Sequence, residues 1–441
     1  MPVETPAPAG DVSTGAAGPA AHRMAWLDGL RAVAVLLVVY AHLSRYLFRG
    51  AREFSSEWLH AGTAGVMLFF LVSGYIIPAS LERHGSLRSF WVSRLCRLFP
   101  LYLAVTALVL GLGAGGLVPL DPYLTAHPTT AAIAHATMLP HLLGVPLVTP
   151  LFWTLTFEMA FYLLVSALFA VRRPRAGGLL AVVLAGAAVL TAPLAPRLLS
   201  ATQALTVGVA AALTLGLAAV TSGRRWAVTA GGLLLGGIAV TLLVVNQDPA
   251  HVWDGLLVIA VMFVGTTIYR AEHGQTGWWQ AGLTAVVVGA ALLANWFAEL
   301  ASYGALTPQY RARAVLTLLV FGGAFAIGML TRRRRTPRLL AWLGLVSYSI
   351  YLVHYVLIQL LRPLLAYLGE RLPAPAELPV VAAYLALLLG ICWLTHRFVE
   401  LPGQRLGRRW ARRMTIRWGS DARPIDGSDA PGGESSSTPT K

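Results

Sequence analysis

The sequence predicts an all-α, polytopic transmembrane bundle of 10–12 spans with both termini in the cytoplasm. Three observations lead there. Apolar residues make up 56% of the 441-residue chain and charged residues only 12%, about half the charged share of an ordinary soluble protein. Apolar runs of about 20 residues, the length that crosses a bilayer core, recur along most of the chain. Arginines are distributed unevenly between alternate loops. The net charge of +15 does not indicate a nucleic-acid binder, because the basic residues are not interleaved with aromatics on one soluble surface.

Residues 1–22 are rich in Ala, Pro, Gly and Thr and lack the basic start and apolar core of a cleaved leader; they are expected to be disordered. The membrane domain is expected over 23–413, and a disordered cytoplasmic tail over 414–441. Twelve candidate spans follow in order: 27–47, 61–80, 99–119, 151–171, 178–195, 200–221, 226–245, 252–270, 279–299, 312–331, 340–361 and 376–397. With the N-terminus on one side, the loops and tail of that side collect 24 arginines and the opposite side 8. The positive-inside bias makes the richer side cytoplasmic; with 33 of the 34 basic residues arginine and Ala and Gly abundant, as in a GC-rich bacterial genome, the chain is expected to be a multi-pass protein of a bacterial plasma membrane. Cys96 and Cys392 are too few and too far apart for a disulfide framework or zinc site and are expected to act as small apolar residues. No metal, P-loop or dinucleotide pattern occurs.

Within this apolar chain a few ionisable residues carry the chemistry, since a charge near the bilayer centre costs about 2.5–3.5 kcal/mol. Arg31 and His42 lie in the first span, eleven positions apart. At about 100° per residue they share a helix face, roughly 16 Å apart along the axis. Glu158 in the fourth span and His354 in the eleventh fall at a depth similar to His42, so the three are expected to converge. Asp28 stands three residues before Arg31, the right spacing for an ion pair on one helix.

The stretch LDGLRAVAVLLVVYAHL (27–43) resembles the opening of the acyltransferase family 3 membrane proteins, whose signature is a basic residue, ten intervening residues and a histidine. Further similar segments follow in the family's order: LFFLVSGYII (68–77), RLCRLFPLY (94–102), WTLTFEMAFY (153–162), VSYSIYLVHY (346–355) and FVELPGQRLGRR (398–409). The resemblance covers roughly 26–410; the part from 176 to 310 matches only in being hydrophobic.

The resemblance implies transfer of an acyl group, commonly acetyl, from acyl-coenzyme A to a hydroxyl of a carbohydrate or glycosylated small-molecule acceptor. Under it, Arg31, Arg94 and Arg97 are expected to hold the donor phosphates, a task suited to guanidinium forks. His42 is the expected catalytic base. Glu158 has three open roles: orienting His42, pairing with an arginine, or binding acceptor hydroxyls. His354 and Tyr351 are candidates for acceptor binding, with a purely structural role for the histidine among its tyrosines as the open alternative. Ser73 is expected to serve close helix packing, and Trp153 and Phe157 to be core residues. The Arg332–Arg335 run and the arginines from Arg405 onward are expected to set topology and touch anionic lipids. The competing function is a transporter or flippase of a charged metabolite or lipid-linked sugar, because buried Arg, Glu and His residues also mark transport paths.

Overall fold

The computed structural model describes residues 25–191, 201–245 and 254–418. Its helices are α1 (Ala25–Leu43), α2 (Arg49–Trp58), α3 (Ala61–His84), α4 (Leu87–Ala114), α5 (Pro122–Ala126), α6 (Pro128–Ala136), α7 (Phe152–Ala170), α8 (Gly177–Thr191), α9 (Gln203–Thr221), α10 (Arg225–Val245), α11 (Asp254–Glu272) and α12 (Trp278–Ser302). They continue with α13 (Pro308–Leu330), α14 (Arg338–Leu345), α15 (Ser347–Arg371), α16 (Ala374–Thr395), a π-helical turn over His396–Glu400, and α17 (Leu401–Trp418). Among the described residues twelve helices are long and apolar enough to cross a membrane, and no strand occurs. The chain is a polytopic helical membrane protein.

Burial separates an inner group from an outer ring. The most apolar windows of α3, α7 and α11 are 72%, 78% and 83% buried, against 28% or less for α4, α8, α9, α12 and α13. The outer helices therefore expose apolar side chains that only lipid can cover.

Two glycines explain why α3 and α11 can lie at the centre together. A Cβ on Gly74 would stand 1.8 Å from the Met262 carbonyl oxygen, and one on Gly265 would stand 2.2 Å from that of Leu71. Only hydrogen fits at either position, so the two backbones touch, as small-residue contacts between membrane helices allow. Thr266 adds a hydroxyl bond to the Gly74 carbonyl at 2.9 Å. The expected packing residue, Ser73, is the neighbour of the one that makes the contact.

Polar stitches close both ends of this core. At one end Arg270 donates to Glu82 and to Gln275, each at 2.6 Å. Arg332 donates to Glu272 at 2.7 Å, and Glu272 also accepts from the Tyr75 hydroxyl. At the other end Glu377 accepts the Phe48 N–H, and Arg313 reaches the Ser56 carbonyl at 3.0 Å. Of the two cysteines, Cys392 is buried and Cys96 half-buried; both are free, and Cys96 lies where α17 approaches α4 through Gly403 and Gly407.

Three boundaries differ from those expected. The third span begins at Leu87 instead of 99, so Arg94 and Arg97 lie inside α4, ahead of Pro100. An apolar window stops at arginines, whereas the helix continues because Arg94 faces aromatic rings and not lipid. The eleventh span, expected over 340–361, is two helices joined at Val346, and the second runs to Arg371; hydropathy measures apolar content and is blind to a turn within it. Helix α17 continues to Trp418, past the expected tail boundary at 414. Residues 1–24 and 419–441, where both disordered ends were expected, lie outside the described residues.

The segment between α4 and α7, free of basic residues, folds into the bundle. His135 on α6 is buried; its Nδ1 bonds the Ala131 carbonyl at 2.9 Å, and its Nε2 accepts the Val148 N–H at 3.2 Å.

Gly74→Ala should destabilise the protein by at least about 2 kcal/mol, the cost of forcing a methyl into a filled contact. Gly111→Ala, with open space around it, should not; denaturant unfolding in detergent distinguishes them. Burial pushes the His135 imidazole below its ordinary range, so the unfolded chain takes up this proton first as pH falls. The contribution to stability should be complete above about pH 6.5 and decline below it. Melting temperatures measured from pH 7.5 to 5 should show that decline, and His135→Gln should flatten it.

Candidate active site

Helix α1 carries Arg31 toward one end of the bundle and His42 toward the other, and each meets a different environment. Near its C-terminus, His42 Nδ1 lies 2.9 Å from the Val38 carbonyl and 3.4 Å from Nε2 of His354. His354 Nδ1 bonds the Ile350 carbonyl at 3.0 Å. Each carbonyl requires a proton on the Nδ1 facing it, so the network fixes both rings as Nδ1–H tautomers. Nε2 of His42 is then its basic nitrogen.

The surrounding residues hold this pair still. The Tyr384 hydroxyl donates to the His354 carbonyl at 2.9 Å, and Tyr355 sets its ring edge-on to His42 at 5.4 Å. Tyr351 accepts from the Thr154 hydroxyl at 2.9 Å and lies 6.0 Å, ring to ring, from His354. His354 is fully buried. It packs against His42 and is absent from the lining of the open space beside it, whereas Tyr351 lines that space.

That space is a cavity of about 730 Å³, with His42, Tyr351, Trp153 and Phe157 in its wall. Trp153 and Phe157 are therefore lining residues as well as core. The remaining polar wall comes from residues that the sequence reading did not select, including Arg45, Arg52, His60, Glu299 and Arg313.

Toward the other end of α1 lies a second group. Arg31 pairs with Asp28 at 3.8 Å, as their spacing anticipated, and is within electrostatic reach of Arg97, Glu158 and Glu400. Arg94 is buried, with its guanidinium 5.6 Å from the ring centres of both Phe90 and Tyr162. Glu158 accepts the Tyr162 hydroxyl one helical turn away. So the structure gathers Arg31, Arg94, Arg97 and Glu158 together, and brings His42, His354 and Tyr351 together elsewhere. The convergence of Glu158 on His42 does not occur: His42 is oriented by Val38 and His354, and the carboxylate sits among the arginines.

Glu400 was missed. It is buried in the π-helical turn, accepts the Ser349 hydroxyl and lies 3.2 Å from His396. A carboxylate inside the apolar segment FVELPG was the available signal.

A family model described as an acyltransferase domain matches residues 24–397, most of the chain. The chain belongs to acyltransferase family 3. Both clusters lie almost wholly within the matched region; Glu400 falls just beyond it. Among its relatives, nodulation protein 10 of Rhizobium leguminosarum bv. viciae is 33% identical over 177 residues, 36% of this chain and 48% of that protein. A Staphylococcus aureus (strain MSSA476) protein, provisionally named an O-acetyltransferase, is 38% identical over 101 residues, 22% of this chain and 14% of its own. Acyltransferase MdmB of Streptomyces mycarofaciens is 35% identical over 92 residues, 20% of this chain and 24% of its own. The chain thus spans about half of the first relative's length and less than a quarter of the others'. No solved structure matches it significantly.

In this acyltransferase family 3 protein, Tyr162→Phe should cost about 2 kcal/mol of stability, the worth of a hydrogen bond to a charged group. Combined with Glu158→Gln it should cost less than the sum of the two single changes, because both remove the same bond. Denaturant unfolding of the four proteins in the cycle measures the coupling; strict additivity would place the two groups out of contact.

Proposed function

We propose that this protein is a membrane-embedded O-acyltransferase that moves an acyl group, most simply acetyl, from acyl-coenzyme A to a hydroxyl of a carbohydrate or glycosylated acceptor. One observation carries the reading: a histidine locked as its Nδ1–H tautomer by Val38 and His354 stands in the wall of a ligand-sized cavity. Cavities of roughly 300–1,000 Å³ are the usual size for small-ligand sites.

The chemistry follows from that nitrogen. The acceptor hydroxyl attacks the thioester carbonyl while His42 Nε2 takes its proton. Collapse of the tetrahedral adduct breaks the carbon–sulfur bond, and the imidazolium returns the proton to the departing thiolate. The Val38 carbonyl and His354 Nε2 both face the Nδ1–H, so they stabilise the transient positive charge and prevent ring rotation. His354 thus serves as a positioning residue, and Tyr351 as a contact for the acceptor.

The donor phosphates belong, on this reading, to the arginines near the opposite end of α1. Arg31 and Arg97 are half-buried, as is Glu158, and better placed to meet a ligand than buried Arg94. The arginine bias of the loops supports a cytoplasmic location for that end in a bacterial plasma membrane, where coenzyme A is available. The spacing of about 16 Å from Arg31 to His42 suits a donor stretched from phosphate to thioester. Transport also uses intramembrane charge, but a tautomer-locked base is a requirement of proton transfer and not of translocation.

Purified protein incubated with radiolabelled acetyl-coenzyme A and fractionated cell glycans should label an acceptor. His42→Ala should lower transfer by a factor of about 10²–10⁴, the usual worth of a general base, with donor binding retained. Arg97→Ala should raise KM for the donor with little change in kcat. Undiminished transfer by His42→Ala would sink the catalytic assignment, and labelled substrate crossing vesicles unacylated would replace the enzyme by a transporter.

A further inference from the structure

The cavity beside His42 carries a charge that acyl transfer to a neutral alcohol does not require. Three guanidiniums line it, Arg45, Arg52 and Arg313, against the single carboxylate of Glu299. Arg52 gives one nitrogen to the Ala41 carbonyl at 3.0 Å and the Ser44 hydroxyl at 3.3 Å. Arg313 gives one nitrogen to Ser56 and lies 4.4 Å over the Tyr310 ring. The Arg45 side chain makes no hydrogen bond among the described residues and is exposed. A guanidinium has five N–H donors, so most of this capacity is unspent.

The acids described nearby do not neutralise it. Glu370 pairs with Arg49 at 3.3 Å, and Glu377 holds the Phe48 N–H. Glu53 and Glu57 are exposed and absent from the cavity wall. The location sharpens the point. This is the arginine-poor end of the bundle, with 8 arginines against 24, yet three of the eight converge on one cavity. Arginines that merely anchor a helix end belong on its lipid-facing rim.

The geometry points to an acceptor that bears its own anionic group, a carboxylate or a phosphate, beside the hydroxyl to be acylated: an acidic sugar or a sugar phosphate. The inference rests on the acyltransferase reading of the same site. Arg45 acts on the side nearer His42 and Arg313 on the side nearer His60, with Arg52 within electrostatic reach of both histidines. Guanidinium forks match either anion in two-point contacts. Across the cavity α12 presents Trp296 and Glu299 three residues apart on one face. An indole face and a carboxylate that accepts hydroxyl protons suit the uncharged part of a sugar. The anion would set which hydroxyl reaches His42.

The test uses the full chain in detergent and three probes: methyl β-D-glucuronide, glucose 6-phosphate and neutral methyl β-D-glucoside. Binding is read from tryptophan fluorescence without donor, and acylation from label transferred by acetyl-coenzyme A. At least one charged probe should bind about tenfold or more tightly than the neutral one, the scale of a single charge-assisted contact; its identity assigns carboxylate or phosphate. Arg45→Gln should bring the ratio toward one and Arg45→Lys should restore most of it, at an exposed position where folding is not at risk. Equal affinity for all three probes overturns the inference, as does a preference that survives Arg45→Gln. Displacement of the charged probe by adenosine 3′,5′-bisphosphate also overturns it, by assigning these arginines to the donor. Charge-selective binding with no acylation of any probe would retain the cavity's selectivity and count against the acyltransferase reading. Equal acylation of all three would do the reverse.

Discussion

An ionisable group inside a membrane domain must find its solvent in the protein, and the arrangement of this chain follows from that constraint. The bilayer supplies no hydrogen bonds and a charge at its centre is costly, so polar side chains gather where they can satisfy one another. The contact of α3 with α11 through Gly74 and Gly265 provides an interior compact enough to do so. Around it α1, α7 and α15 bring inward the residues that lipid would reject. One end of the core is closed by acid–base contacts, Arg270 with Glu82 and Arg332 with Glu272, and the other by side chain–backbone contacts of Glu377 and Arg313.

The sequence showed the elements of this fold more clearly than their ends. Twelve apolar runs correspond to the twelve membrane-length helices among the described residues because hydropathy and span length are both local quantities. The start of α4 was misjudged because a helix boundary depends on what the arginines meet. Arg94 meets Phe90 and Tyr162; Phe90 lies one turn away on the same helix, but Tyr162 is on a different one. The pairing of Asp28 with Arg31 was legible since it is fixed by a three-residue spacing. The partner of Glu158 proved to be local too, Tyr162 on the next turn, yet shared depth had suggested His42. Depth is one coordinate, and two residues at one depth can face different neighbours.

The residues that escaped notice have a common property: each becomes informative only through a distant segment. Glu400 is one polar position in a closing motif until Ser349 and His396 surround it. Arg45, Arg52 and Arg313 were visible as exceptions to the arginine bias, but sequence distance hid the fact that they face one volume. The segment between α4 and α7 had the composition of an external loop and instead supplies wall to the cavity through His141 and Leu147.

The two ends of α1 therefore differ in kind. Around Arg31 three arginines are met by Asp28, Glu158 and Glu400, a set close to electroneutral that can persist in a low dielectric without a ligand. Around His42 the described charges leave a surplus of guanidinium facing open space. A balanced cluster is stable when empty and gives up little of its internal pairing to bind a further anion. An unbalanced one repels itself when empty and is relieved by an anion. On electrostatic grounds alone the stronger discrimination among ligands belongs at the His42 end, where under the proposed function a reacting hydroxyl has to be chosen from several on one acceptor. Under the same proposal the Arg31 end needs only to hold a donor whose phosphates are always the same.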